Sequence, residues 1–80
     1  MTTKDKILIE LLAIKARGGE KEEVKEYIIN LLNQLPGEMS EKYRRASAAI
    51  MAYGSYEREL FNEELLAETL ETIINNKKRR

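Results

Sequence analysis

From Val24 to Leu35 the apolar residues Val24, Tyr27, Ile28, Leu31, Leu32 and Leu35 recur at steps of three and four, while Lys21, Glu22, Lys25, Glu26, Asn30 and Asn33 occupy the other side. That spacing is one face of an α-helix and cannot be the face of a strand, where every second residue points the same way. Leu35-Pro36-Gly37 stops the helix, because proline disfavours helix in the residue before it and has no amide hydrogen. Strand-like alternation is found nowhere in the sequence, so the rest of the fold has to be assembled from the same kind of element.

A first helix can be capped by Thr2 or Thr3, with Asp5 in its first turn and Gly18-Gly19 closing it after Arg17. Its stripe of Ile7, Leu8, Leu11, Leu12 and Ile14 is widened by Ile9, Ala13 and Ala16, which predicts a central helix packed against two or more others. Ser40 is placed to cap a third helix, with Glu41 four residues before Arg45. Tyr43, Ala46, Ile50 and Tyr53 are its expected core face, and Gly54 its expected end. Beyond it, a short helical turn is expected over residues 56–60 and a main helix over 63–75, capped by Asn62 and stapled by Phe61 onto Leu66. A continuous helix from Ser55 to Asn75 is the alternative. Leu66, Leu70, Ile73 and Ile74 form the core face there, flanked by Phe61 and Leu65. Loops of two to six residues favour antiparallel neighbours. The expected fold is all-α: a compact antiparallel bundle of four helices, or five if residues 55–75 divide. One domain spans residues 1–76, and Lys77, Lys78, Arg79 and Arg80 form a basic tail expected to be disordered.

Composition narrows the function. Eighty residues lie near the size at which a single core only just outweighs conformational entropy. Cysteine and histidine are absent, which removes disulfides, thiolate metal sites, the usual zinc ligands and the side chain that titrates near neutrality. The lack of cysteine suits a reducing, cytoplasmic setting. Glu64, Glu68 and Glu71 share a helical face, but a di-metal bundle site draws glutamates from several helices together with histidines. They read as a solvated face, and no glycine-rich phosphate loop or nucleophile elbow is present. No enzymatic activity, metal or cofactor is expected. Fourteen basic and fourteen acidic residues give zero net charge, so no chain-wide field draws the protein to nucleic acid. Lysines precede an apolar run near the start, but Glu10 interrupts it, so a signal peptide is not expected. No apolar stretch approaches the roughly eighteen residues of a membrane span.

The segment YRRASAAIMAYGSYERE, residues 43–59, carries the candidate site. With the core face as assigned, Arg44, Ala48, Met51 and Ala52 point outward with Arg45 nearby, and Tyr56 follows Gly54-Ser55 as the tyrosine expected to be exposed. Alanines allow close approach, methionine adapts its shape, and arginines pair with carboxylates or phosphates. Arg44, Arg45, Ala48, Met51, Ala52 and Tyr56 therefore form an expected protein-binding surface. Two other readings use the same helix. LPGEMS could be the turn of a helix-turn-helix, with Ser40, Lys42, Arg44 and Arg45 facing DNA, although the acidic stripe Glu57, Glu64, Glu68 and Glu71 would repel a duplex. A homodimer could form through the alanine face.

VKEYIINLLNQL, a short loop, a small-residue helix and ELFNEELLAETLETII, within residues 20–75, resemble the last three helices of the immunity proteins that protect bacteria from pediocin-like bacteriocins. The resemblance implies a small antiparallel helical bundle that acts by binding a protein complex. This chain departs from that family in its neutral charge and short C-terminus. A designed helical bundle with no natural function would equally fit the caps, the balanced charge and the missing cysteine, histidine and tryptophan.

Overall fold

The computed structural model describes residues 1–75, which form four α-helices and no strand. These are α1 (Thr3–Ala16), α2 (Lys21–Asn33), α3 (Met39–Glu57) and α4 (Glu63–Asn75). The basic tail at 77–80 lies outside the described residues. Helix α4 packs against both α1 and α3, α2 packs against α3, and α1 and α2 also touch. No helix among the described residues is long and apolar enough to cross a membrane.

Local chemistry sets most of the helix ends. The Thr2 hydroxyl accepts from the Asp5 N–H at 3.1 Å and the Asp5 carboxylate accepts from the Thr2 N–H at 3.4 Å, a reciprocal capping box. A second amide of the same turn, Lys4 N–H, donates to the Glu71 carboxylate on α4 at 3.0 Å, so the acidic stripe of α4 helps to cap α1. Asn62 caps α4 as expected, its side-chain oxygen accepting from the Leu65 N–H at 2.8 Å. Helix α3 begins earlier than expected: Glu38 is its N-cap, and Glu41 accepts from the Glu38 N–H at 3.3 Å, which places Ser40 inside the first turn.

The core is built from Ile7, Leu11 and Ile14 of α1, Val24, Ile28 and Leu32 of α2, Ala49, Ala52, Tyr53 and Tyr56 of α3, and Leu66, Ala67 and Leu70 of α4. Leu8, Tyr27, Leu31, Leu35, Phe61, Ile73 and Ile74 pack around it. The face expected for α2 is the one observed, and so are Leu66 and Leu70 of α4. Helix α1 is less enclosed than its composition implied: Ile9, Leu12, Ala13 and Ala16 face out.

The largest departure concerns Gly54. Helix α3 runs through it to Glu57, so residues 56–60 do not form a separate fifth element. The chain turns instead at Arg58 and Glu59, where Leu60 N–H donates to Ser55 C=O at 2.8 Å and Glu59 N–H to Tyr56 C=O at 2.9 Å. This is the paired closure of a Schellman motif. The same closure ends α1, where Gly19 N–H reaches Ile14 C=O and Gly18 N–H reaches Lys15 C=O, with Gly18 at φ 77°. At the α3 end the equivalent left-handed residue is Glu59, at φ 66°. A side chain in that conformation costs about 1–2 kcal/mol, only part of which glycine returns through its freer unfolded chain. Glu59→Gly is therefore expected to stabilise the protein by about 0.5–1 kcal/mol, since the ion pair it removes with Lys21 is exposed. Urea unfolding checks this, and a midpoint that stays put or falls would rule out strain in the turn.

Candidate functional site

With roughly 100° of rotation per residue, the buried positions of α3 (Arg45, Ala49, Ala52, Tyr53 and Tyr56) lie on one side of the helix. Of the core face expected from the sequence, only Tyr53 is buried; Tyr43 is 76% exposed, Ile50 45% exposed, and Ala46 also faces solvent. The helix is rotated because alanine, not tyrosine or isoleucine, fits between closely packed helices, and Ala49 has no exposed surface at all.

This rotation divides the expected binding surface. Arg44 and Met51 are on the outside, Met51 73% exposed, and Ala48 is half-buried between them and the core. Arg45, Ala52 and Tyr56 are buried. Two adjacent stripes remain on the outer side of α3: Arg44, Ala48, Met51 and Ser55, and beside them Tyr43, Ser47, Ile50 and Gly54, each at steps of four, three and four residues. The expectation missed Tyr43 and Ile50 by assigning them to the core.

Arg45 has a structural task. Its Nη2 donates to the Pro36 carbonyl at 2.8 Å and lies 3.8 Å from the Glu41 carboxylate, while Nη1 is buried without a hydrogen-bond partner among the described residues. The guanidinium thus ties the α2–α3 loop to the first turns of α3. Gly37 sits against it, where a Cβ would come within 2.9 Å of Nη2. Of the residues the helix-turn-helix reading offered to DNA, Ser40, Lys42 and Arg44 are exposed and Arg45 is folded inward, and the start of α3 also carries the carboxylates of Glu38 and Glu41.

A cleft of about 470 Å³ opens where the α1–α2 loop meets the α3–α4 turn, lined in part by Lys15, Lys21, Tyr56, Phe61 and Glu63. The Tyr56 hydroxyl donates to the Glu63 carboxylate at 3.0 Å, and Lys15 Nζ stands 3.6 Å from the other oxygen of Glu63. Lys21 Nζ donates to the Glu57 carbonyl at 2.9 Å and lies 3.6 Å from Glu59. Burial, followed by the hydrogen bond to Glu63 and the negative charges nearby, pushes the Tyr56 hydroxyl up to about 12. Burial opposes the charge on Glu63, but its own backbone amide, Tyr56 and Lys15 outweigh that effect and hold the carboxyl below its usual range. A tyrosine held protonated and a glutamate held ionised are poor proton-transfer partners near neutrality. The trio fastens the α3–α4 turn to α1. Sequence reasoning had no access to it, because the six residues between Tyr56 and Glu63 include a turn that its local signals did not place.

The acidic stripe of α4 is partly engaged with α1: Glu71 accepts from Lys4 N–H, and Glu64 lies 3.5 Å from Lys4 Nζ. Among the described residues no cluster of three or more acidic side chains could hold a metal ion. Compared with known proteins, the chain matches no family model, no curated protein and no solved structure.

Two outcomes follow from this geometry. Arg45→Ala is expected to lose about 2 kcal/mol, the scale of a hydrogen bond from a charged donor, whereas Arg44→Ala changes stability by less than about 0.5 kcal/mol, as a surface substitution does. Chemical denaturation of both variants checks this, and equal losses would contradict the burial difference. With pH, the raised hydroxyl of Tyr56 contributes stability that is complete below the unfolded value of 10 and is lost as pH rises through about 12. The lowered carboxyl of Glu63 contributes stability above the usual glutamate range, which is lost as the medium turns acid. Tyr56→Phe should therefore flatten the alkaline fall in stability without abolishing it, because burial also raises Tyr53 and Tyr27. An unchanged alkaline slope would show that Tyr56 is not protected in the folded state.

Proposed function

We propose that this chain is a small non-enzymatic protein-binding module, an inhibitor, immunity factor or regulatory subunit, that acts through the outer face of α3. One observation carries the reading. Tyr43, Ile50 and Met51 stand exposed together beside Arg44 on the outer side of a single helix, Tyr43 at 76% and Met51 at 73%. An exposed apolar cluster edged by arginine is the composition of an interface centre. Ser47 and Gly54 lie between the larger side chains and let a partner's backbone come close. Buried Arg45, Ala52 and Tyr56 support the surface from beneath and do not touch the partner.

The frame behind the surface is an antiparallel bundle in this reading. Lys15, near the end of α1, is beside Glu63 at the start of α4, while the Lys4 amide near the start of α1 is beside Glu71. That ordering supports opposite directions for the two helices. A bundle of this kind also agrees with what the resemblance of residues 20–75 to bacteriocin immunity proteins implies.

Binding is tested with Met51→Glu and Arg44→Glu. Both variants are expected to keep wild-type helical content and melting temperature, since neither residue belongs to the core, and to lose at least tenfold in affinity for a partner retained by the immobilised wild type, about 1.4 kcal/mol. Retention of the same partner by all three proteins would remove α3 from the interface. A melting temperature that falls by many degrees would show that these positions support the fold.

A further inference from the structure

We propose that the outer face of α3 is occupied by a second copy of this chain, paired antiparallel about a two-fold axis that passes between the two helices at the level midway between Ala48 and Ala49. The inference rests on the reading of this face as a binding surface and specifies its occupant.

The first observation is Gly54. It lies inside a continuous helix, where glycine costs about 0.5–1 kcal/mol relative to alanine. Nothing among the described residues requires it: an added Cβ would meet only the tip of Arg58, at 4.0 Å. A helical glycine without an internal reason points to a close approach from outside.

The second observation is the order of large and small residues along the face. Antiparallel pairing about that axis sets Tyr43 opposite Gly54 of the second copy. Ile50 meets Ser47 of the second copy, and Met51 lies beside its Ala48. On the stripe of Tyr43, Ser47, Ile50 and Gly54 each large side chain therefore meets a small one, and the two-fold axis repeats each contact. Parallel pairing would place tyrosine on tyrosine and isoleucine on isoleucine, with the glycines facing each other across a gap.

Charge is compatible with the same direction. Lys42 and Arg44 form no ion pair among the described residues; they lie toward the start of the helix, after Glu38 and Glu41, while Glu57 and Arg58 lie at its end. Antiparallel pairing brings Lys42 and Arg44 of one helix toward Glu57 of the other, whereas parallel pairing sets each charge beside its own copy. Helix α1 also has an apolar outer flank, at Ile9, Leu12, Ala13 and Ala16, but its small residues are alanines, which helix propensity accounts for. That flank has no counterpart to Gly54.

Nineteen residues give a helix about 28 Å long, so a single helix pair falls near the lower bound of specific interfaces, about 1,000 Å² in total. The dimer is therefore weak and concentration-dependent. Light scattering or sedimentation equilibrium over a wide concentration range tests it with three proteins. The wild type is expected to approach twice the monomer mass as concentration rises. Gly54→Tyr, which fills the slot for Tyr43, is expected to weaken association at least tenfold while circular dichroism shows an unchanged fold. Adding Tyr43→Ala to Gly54→Tyr exchanges the large and small members of the pair and is expected to restore the dimer. A wild type that stays monomeric throughout overturns the second copy as occupant, yet leaves the binding-module reading to be judged by the Met51→Glu experiment. A dimer indifferent to Gly54→Tyr overturns this proposal by placing the contact elsewhere, with the flank of α1 next to be examined. If Gly54→Tyr unfolds the protein, Ser47→Tyr serves the same purpose: it sets tyrosine against Ile50 of the second copy, and an undiminished dimer would equally overturn the register.

Discussion

The position of α4 governs the rest of this fold. It packs against α1 and α3 more extensively than any other helix does, and Leu66, Ala67 and Leu70 on its inner side have no exposed surface. To pack closely against such a helix, α3 must present a shallow side, and its shallow side is the one containing Ala49 and Ala52. Burying an alanine costs no side-chain entropy and brings helix axes together, so the buried leucines of α1 and α4 can fill the space that remains. Rotating the alanines inward leaves Tyr43 and Ile50 outside. The exposed apolar face of α3 is thus the geometric complement of a close contact on its opposite side.

The ends of the bundle are held by polar groups that work across elements. Glu71 of α4 accepts from an amide in the first turn of α1, Lys21 of α2 donates to the last carbonyl of α3, and Arg45 of α3 holds the carbonyl of Pro36 in the preceding loop. Each pairs a helix end, or the backbone of a bend, with a charged side chain from elsewhere. Orphaned amides and carbonyls at helix ends need such partners wherever a local cap is lacking. Arg45 goes furthest in this respect. The residue is only 8% exposed, and it has a structural role that a surface arginine such as Arg44 lacks.

Where a helix has one apolar face, the sequence reveals both the element and its orientation. The face of α2 was legible from Val24 to Leu35, and so were the Asn62 cap and the core positions Leu66 and Leu70. Helix α3 is different because apolar residues surround it. Tyr43, Ala46, Ile50 and Tyr53 make one plausible face, and Ala49, Ala52, Tyr53 and Tyr56 make another. Periodicity scores them alike, and residue size favours the wrong one. What decides is the separation between α3 and its neighbours, which is a tertiary quantity. The same limit explains why Arg45 and Tyr56 were read as surface residues and why the Tyr56–Glu63–Lys15 trio was invisible. Gly54 was misleading for another reason: glycine commonly ends a helix, but here the helix passes through it and closes at Glu59 by backbone hydrogen bonds that glycine would have made more easily.

These choices separate the packing side of α3 from an exposed apolar side on the same helix. Burying an exposed isoleucine or tyrosine is worth about 1.5–3 kcal/mol, a considerable amount for an eighty-residue domain near the lower size limit of independent folding. In this arrangement Tyr43 and Met51 give the isolated fold little of it, and Ile50, 45% exposed, only part. They also cap no helix end and, among the described residues, make no hydrogen bond that ties one element to another. The inner side of α3 bears the packing, with Ala49, Tyr53 and Tyr56 in the core and Arg45 at the loop. Its outer side is free of those duties, so its sequence can change with little effect on the fold. Under the proposed binding role, a surface that is apolar, shallow at Ser47 and Gly54, and not required by the core would derive its energetic value from the partner that covers it.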